Sequence, residues 1–462
     1  MAGPNILFIV ADDLGWGDLG SVNGGLSDTP HLDALIGESL CLAQHHSSSP
    51  VCAPARASLF TGRYPHRTGA IDTLETRGLD RIHLRERTIA DLLRDAGYVT
   101  GLVGKWHNGA LDARYHPNAR GFDVFAGFCG GWSDYLDWRL DHNGSLKHSD
   151  GRYLTDVLTE EAIGFIQRHH TADEPFFLTV AYNAPHYPLQ AQAEDEAHFA
   201  ELDATPAVRT LYGMVRSMDR GIGRILDALD AFGLVDDTIV VFTSDNGPQL
   251  FGAGAESTVR FNCGLAGGKG LVNEGGILLP AIVRWPGGGV APGRVDTLVH
   301  LTDWLPTLLA AVGVPVPKDS LPLDGVDVSP LLHAQPAEVP DQRFWQWNRY
   351  EPSVRTNAAA RDGSWKLVVP PVWSTLFPTP TDLAADHDLK DHPDLWLAID
   401  ASPLGATVID EAPSPQLFDL AADPGEQNDV AAAHPARVTR MVADLERWFA
   451  DVDTERRSLT WT

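Results

Sequence analysis

The segment Asn5-Ile6-Leu7-Phe8-Ile9-Val10-Ala11-Asp12-Asp13 decides how the rest of the chain is read. A short apolar run stopped by two aspartates is the pattern of a strand that ends at a functional edge. Comparable runs recur at residues 99–103, 176–182, 238–243 and 281–285. Longer segments of helical period lie between them, with Leu154, Val157, Leu158, Phe165 and Ile166 in one and Leu211, Val215, Met218, Ile222, Ile225, Leu226 and Leu229 in another. The alternation predicts an α/β protein with a mostly parallel central sheet flanked by helices, apolar faces inward.

Beyond about residue 335 the texture changes. Phe344-Trp345-Gln346-Trp347, Trp365-Lys366-Leu367-Val368-Val369 and Gln416-Leu417-Phe418-Asp419-Leu420 are short pieces bounded by Pro, Asp and Gly, which predicts a small antiparallel sheet. A closing helix follows, with Val438, Met441, Val442, Leu445, Trp448 and Phe449 on one side. The expected division is therefore a large N-terminal α/β domain at 1–335 and a smaller α+β subdomain at 336–462. The Pro-rich stretch 370–380 and the acidic stretch 382–394 read as an insertion loop in the second part. No internal repeat is visible.

A length of 462 residues suits one large domain and a smaller one. With 35 Lys+Arg against 62 Asp+Glu the formal charge is −27, which argues against broad binding to nucleic acid or anionic lipid. Any anion the protein handles must meet a local cluster of positive charge. The cysteines at 41, 52, 129 and 263 show neither paired metal-ligand spacing nor a disulfide framework. The first apolar run is too short for a signal peptide and no stretch has membrane-spanning length, so a cytoplasmic protein is expected. Oligomeric state is not readable.

In parallel sheets the carboxyl ends of the strands line the ligand crevice. The predicted strands lead into Asp12 and Asp13, into Lys105 and His107, into His186, and into Asp245 and Asn246. The oxygen groups of Asp12, Asp13, Asp245 and Asn246 would form a hard site suited to Ca²⁺ or Mg²⁺ and poorly suited to Zn²⁺. A lone Asp in such a place would cap a helix; two doublets at two strand ends favour a metal.

The segment Val51-Cys52-Ala53-Pro54-Ala55-Arg56 places Pro54 in a first helical turn and Cys52 just before the helix, near free backbone N–H groups. Two readings of the thiol stay open here: an acidic, reactive group beside Arg56, or a small buried hydrophobe. His45, His46, Cys41, Cys129 and Cys263 read as structural.

These residues resemble the type I sulfatases of the alkaline-phosphatase-like superfamily. The likeness runs through the opening strand and its aspartates, the CxPxR element from Cys52 to Arg56 with Thr61-Gly62-Arg63, Gly104-Lys105-Trp106-His107, Pro185-His186-Tyr187-Pro188, Ser244-Asp245-Asn246-Gly247 and Gly268-Lys269-Gly270. It continues more loosely to Asp303-Trp304-Leu305-Pro306-Thr307 and to Leu417-Phe418-Asp419-Leu420 with Asp423-Pro424.

The resemblance implies a sulfate-ester hydrolase. A maturation enzyme would oxidise Cys52 to formylglycine, and a hydroxyl of its hydrate would be the nucleophile. Asp12, Asp13, Asp245 and Asn246 would hold Ca²⁺ (Mg²⁺ being less suited) against residue 52. Arg56 would steady that residue, Lys105 and Lys269 would grip the sulfate, His186 or Lys269 would protonate the departing oxygen, and His107 would act as base on the second hydroxyl. Ala55 replaces a serine common in relatives and Asn108 an apolar residue, and neither changes the reaction class.

The implied substrates are aryl, sugar or small alkyl sulfates; Trp345, Trp347 and Tyr350 are either groups that stack on a ring or core residues, and the pair Trp132-Ser133 is a weaker candidate to reach the pocket. The alternatives are a phosphonate or phosphate ester hydrolase of the same superfamily and, from a different class, a non-catalytic anion or glycan binder.

Overall fold

The computed structural model describes residues 3–391, 398–400, 402 and 409–461. Ten strands form one sheet: β1 (Asn5–Ala11), β2 (Leu40–His46), β3 (Val99–Lys105), β4 (Val124–Phe128), β5 (Arg139–His142), β6 (Ser145–His148), β7 (Phe176–Ala181), β8 (Thr238–Ser244), β9 (Ala281–Arg284) and β10 (Gly293–His300). Their order is β10-β2-β9-β8-β1-β7-β3-β4-β5-β6. The central run from β8 through β1, β7 and β3 to β4 is parallel throughout.

Alternation in β1 explains why its sequence is apolar without interruption. Ile6, Phe8 and Val10 enter the core on one face, with the helices Cys52–Thr61, Ile89–Asp95 and Trp304–Ala311. Leu7, Ile9 and Ala11 enter the core on the other, with the helices Leu154–His169 and Pro206–Ala231. A strand buried on both faces has no polar side to show.

All five predicted strands of this sheet form, but β9 runs antiparallel to both neighbours. The segment between β8 and β9 stays at the carboxyl edge of the sheet and returns without a crossover helix, so antiparallel pairing follows.

Four strands, β11 (Gln342–Gln346), β12 (Ala358–Asp362), β13 (Trp365–Val369) and β14 (Gln416–Asp419), form the expected antiparallel sheet in that order. The helix Pro435–Arg457 covers one face through Met441 and Leu445, packed with Ala358, Ala360 and Leu367. Trp345, Ala359, Val368 and Phe418 of the other face pack with Val272 and Ile277 of the β8–β9 segment. The expected insertion loop is corrected in part: residues 380–391 fold as the helix Pro380–Asp391, while 392–394 lie outside the described residues. Among the described residues, no helix is long and apolar enough to cross a membrane.

Candidate active site

Because β1, β3, β7 and β8 are parallel, the residues that follow them share one edge. Asp12 and Asp13 leave β1, Lys105 ends β3 with His107 two residues on, His186 lies five residues past β7, and Asp245 and Asn246 leave β8. Cys52 arrives from β2 as the first residue of its helix, one position further in than the sequence suggested. Val51 before it is extended and offers no side-chain cap.

The groups interlock by charge. Lys105 Nζ donates to Asp12 Oδ2 at 2.5 Å, and both residues are fully buried. Lys269 Nζ donates to Asp13 Oδ2 at 2.8 Å. Arg56 donates from Nε to Asp245 Oδ2 at 2.8 Å and from Nη1 to the Lys105 carbonyl at 3.0 Å, with Nη2 3.8 Å from Asp12 Oδ2. The Cys52 thiol lies 3.6 Å from Asp12 Oδ1.

Burial sets the protonation states, opposed or reinforced by these neighbours. Burial raises the Asp12 carboxyl, but Lys105, His186, Arg56 and Lys269 outweigh it and hold the group far below the usual range. Burial and the adjacent Asp12 push Asp245 up to about 6. Burial pulls Lys269 down, but Asp13, Cys52 and Asp12 together outweigh it and hold the ammonium above its ordinary value. Burial pushes the Cys52 thiol up to about 12 against the pull of Lys105 and Lys269. Burial thus opposes the acidifying pull of the helix start and the lysines on an unmodified thiol.

The two histidines have defined tautomers. His186 Nδ1 lies 2.6 Å from the Tyr187 carbonyl, so Nδ1 carries the proton and Nε2 is bare in the neutral ring, 3.8 Å from Asp13 Oδ2. Burial and Lys269 bring its pKa down to about 4. His107 Nε2 faces the Thr73 carbonyl at 3.4 Å, which leaves Nδ1 buried and, among the described residues, without a partner. Burial, then Lys105, keeps this ring neutral. Its backbone is left-handed, with φ 57°.

The donor set fits a hard divalent cation. Asp12, Asp13, Cys52 and His186 each offer an atom, all within 4.8 Å of one another. Asn246 turns Nδ2 to Asp13 Oδ1 at 2.7 Å and leaves its own Oδ1 buried and, among the described residues, unpartnered. An orphaned buried amide oxygen beside carboxylates is what a cation would satisfy. Asp245 Oδ1 already accepts from the backbone of Asn246 at 2.9 Å and of Asp13 at 3.4 Å, with lone pairs remaining. His186, expected only as a proton donor, stands among the possible ligands.

Several residues at this site carry no sequence signal. Glu75 lies 3.6 Å from His107 Nε2, accepts from the Gly131 N–H at 2.6 Å and pairs with Lys390. Asn357 ties down the loop of Lys269, donating to the Gly270 carbonyl at 2.8 Å and accepting from the Val272 N–H at 3.1 Å. Trp345 and Trp347, expected as stacking candidates, are buried in the core, and the Tyr350 hydroxyl is spent on Asp382 at 2.7 Å. Trp132 is only half buried and lines a cleft beside the site. His45 and His46 are buried as expected, accepting from the Trp304 indole at 2.9 Å and meeting Glu274 at 2.9 Å. Cys263, read as structural, is exposed.

A doubly covered α/β sheet with carboxylates, lysines and histidines gathered at one carboxyl edge is an arrangement able to hold a divalent cation beside a small anion. The chain belongs to the sulfatase family, whose description, Sulfatase, matches residues 4–314. It is 36% identical over 359 residues to N-acetylgalactosamine-6-sulfatase of Mus musculus, covering 71% of this chain and 66% of that protein. Arylsulfatase A of Homo sapiens is 32% identical over 491 residues, covering 97% and 88%. The chain thus spans slightly less than two thirds of the N-acetylgalactosamine-6-sulfatase and most of arylsulfatase A. Among solved structures, Ps i-CgsB in complex with k-i-k-neocarrahexaose superposes with a TM-score of 0.79 at 31% identity, covering 96% of this chain and 92% of that one.

Proposed function

We propose that the protein is a metal-dependent sulfate-ester hydrolase working through residue 52, in a catalytic part at 1–335 joined to a smaller part at 336–462. The observation that carries this reading is the meeting of Cys52, Asp12, Asp13 and His186 within 4.8 Å, with Lys105 and Lys269 on the two aspartates. The family and the relatives named as sulfatases support it. Aryl, sugar and small alkyl sulfates are the substrate classes in question.

The ligands for Ca²⁺ would be Asp12, Asp13, Asp245 and Asn246, with residue 52 at its edge; Mg²⁺, which demands a stricter octahedron and keeps more water, suits the set less. When bound, the cation would supply Lewis-acid stabilisation of charge on oxygen, and oxidation of Cys52 to formylglycine would supply the hydroxyl nucleophile that a protonated thiol does not.

The remaining roles fall to side chains in place. Lys105 and Lys269 each spend one ammonium proton on a carboxylate and keep two for sulfate oxygens, where they stabilise developing charge. Lys269, held cationic by Asp13, has a proton to give the departing oxygen. His186 has a bare Nε2 near neutral pH and serves instead to orient, so of the two candidate proton donors Lys269 is favoured. His107, neutral with Nδ1 unpartnered, is the base. Arg56 locks Asp245 and the end of β3 behind them.

The test is initial-rate release of inorganic sulfate from an aryl sulfate, against matched phosphate and phosphonate esters, by protein made together with a formylglycine-generating enzyme. Sulfate release that depends on residue 52 is expected. A large preference for phosphorus would replace this reading with a phosphonate or phosphate hydrolase. No turnover of any ester, with the thiol unconverted, would favour a non-catalytic binder.

A further inference from the structure

Beside the two histidines lies a cleft of about 930 Å³. Its walls are the end of β4, the segment through Trp132 and Asp141, the loop after His186, and the helix Pro380–Asp391. It abuts the anion site at two points. Glu75, in its wall, lies 3.6 Å from His107 Nε2, and Tyr187, also in its wall, follows His186. An alcohol leaving from a sulfate held by Lys105 and Lys269 has this space next to it.

The charge of the cleft is one-sided. Among the described residues, five carboxylates line it, from Glu75, Asp112, Asp134, Asp137 and Asp141, against two cations, Arg139 and Lys390. Lys390 is spent on Glu75. Asp112 pairs with Arg114, and Asp141 meets the His116 ring at 3.2 Å. Asp134 and Asp137 are satisfied by neutral donors: Asp134 by the Gln190 amide at 2.8 Å and the N–H groups of Leu136 and Asp137 at 2.7 Å, Asp137 by the Ser149 hydroxyl at 3.2 Å. Their negative charge therefore reaches into the cleft, where Arg139 offsets part of it.

Two further features point to what the cleft takes. Trp132, half buried, stands edge-on to Tyr187 at 6.3 Å and to His387 at 6.5 Å, an aromatic corner that suits a ring face or a cation. Glu75, in the wall, has its Oε2 without a hydrogen-bond partner among the described residues.

We propose that this cleft is the leaving-group site and that it selects esters bearing one sulfate on an uncharged or cationic ring-containing alcohol, rejecting those with a second anionic group. The proposal rests on the sulfate-ester reading and adds the charge of the alcohol to it. The physical ground is like-charge repulsion at a partly desolvated wall, which salt weakens.

The test uses three phenyl sulfates that carry a hydroxyl, a trimethylammonium or a carboxylate group on a propylene spacer, so that leaving-group acidity changes little. At low salt kcat/KM for the carboxylate ester should be about tenfold or more below that of the neutral ester, with the cationic ester equal to or above it. Added salt should narrow the spread. The double variant Asp134→Asn, Asp137→Asn should raise the anionic-to-neutral ratio by about threefold or more, and Trp132→Ala should raise KM for the neutral ring. Sulfate released from all three esters with no charge order, or a ratio indifferent to salt and to the double variant, overturns the proposal alone. Sulfate released from none overturns the sulfate-ester reading and the proposal with it.

Discussion

Asn357 belongs to the C-terminal sheet region yet holds the loop that presents Lys269, and replacing it with alanine separates scaffold from chemistry. Its side chain donates to the Gly270 and Trp347 carbonyls, each at 2.8 Å, and accepts from the Val272 N–H at 3.1 Å. The residue is fully buried, and truncation strands the Trp347 carbonyl and the Val272 N–H away from water, while the Gly270 carbonyl is only half buried. At about 1–2 kcal/mol for each of the two stranded groups, and about 1 kcal/mol for alanine at a left-handed backbone, Asn357→Ala should lose about 3–5 kcal/mol of stability. The left-handed φ is 44°.

Asn357→Gly removes the same bonds without the backbone strain and should be about 1 kcal/mol more stable than the alanine variant. Gly270 is also anchored by its N–H to the Pro50 carbonyl at 2.8 Å, so losing the Asn357 contact shifts Lys269 without unfolding its loop. In protein that remains folded, kcat/KM for an aryl sulfate should fall about 10–100-fold. Urea midpoints and initial rates measure the two effects. A variant within about 1 kcal/mol of the parent and with unchanged kcat/KM would refute the assignment of this clamp.

Three other outcomes are expected. Lys366→Met removes the buried cation between Glu274 at 2.7 Å and Glu426 at 2.8 Å and should cost about 3–5 kcal/mol in urea unfolding, with Glu426→Gln in the same chain recovering part of it. Lys105→Ala should lower kcat/KM for sulfate esters about 10²–10³-fold, by loss of a cation at the developing charge. Burial lowers His45 from 6.5 to about 3 and His66 from 6.5 to about 4. The unfolded chain therefore takes up protons that the folded chain refuses between those values. Their contribution is present above about pH 6.5 and is lost as pH falls toward 3, at about 1.4 kcal/mol for each pKa unit of each histidine. A thermal midpoint that falls from pH 7 to pH 4 checks the sign; one that rises contradicts it.

The parts of the fold legible in the sequence are those whose signal is local. β1, β3, β7 and β8 announce themselves because burial on two faces leaves continuous apolar runs, and the site residues directly after them inherit that clarity. β2 hides because His45 and His46 interrupt its apolar pattern, and their partners Trp304 and Glu274 are more than two hundred residues away. β12 hides because Ala358, Ala359 and Ala360 carry little strand preference; the sheet forms there because small side chains fit between larger ones on both faces.

Within the site, Glu75, Asn357 and Lys390 act only through tertiary contacts, so no spacing in the chain marks them. The aromatic residues mislead for a related reason. Trp345 and Trp347 stand in an exposed-looking cluster of the sequence but are packed away, whereas Trp132, amid glycine and aspartate, reaches the cleft. The thiol was undecided because a helix start and burial pull its proton affinity in opposite directions, and burial wins.

The most direct test joins two readings on one preparation: peptide mass at position 52, and sulfate released per molecule. Protein produced alongside the maturation enzyme should carry an aldehyde there, with turnover in proportion to the fraction converted and none from Cys52→Ala. Equal turnover from the alanine variant, or from chains that hold only the thiol, would contradict the account.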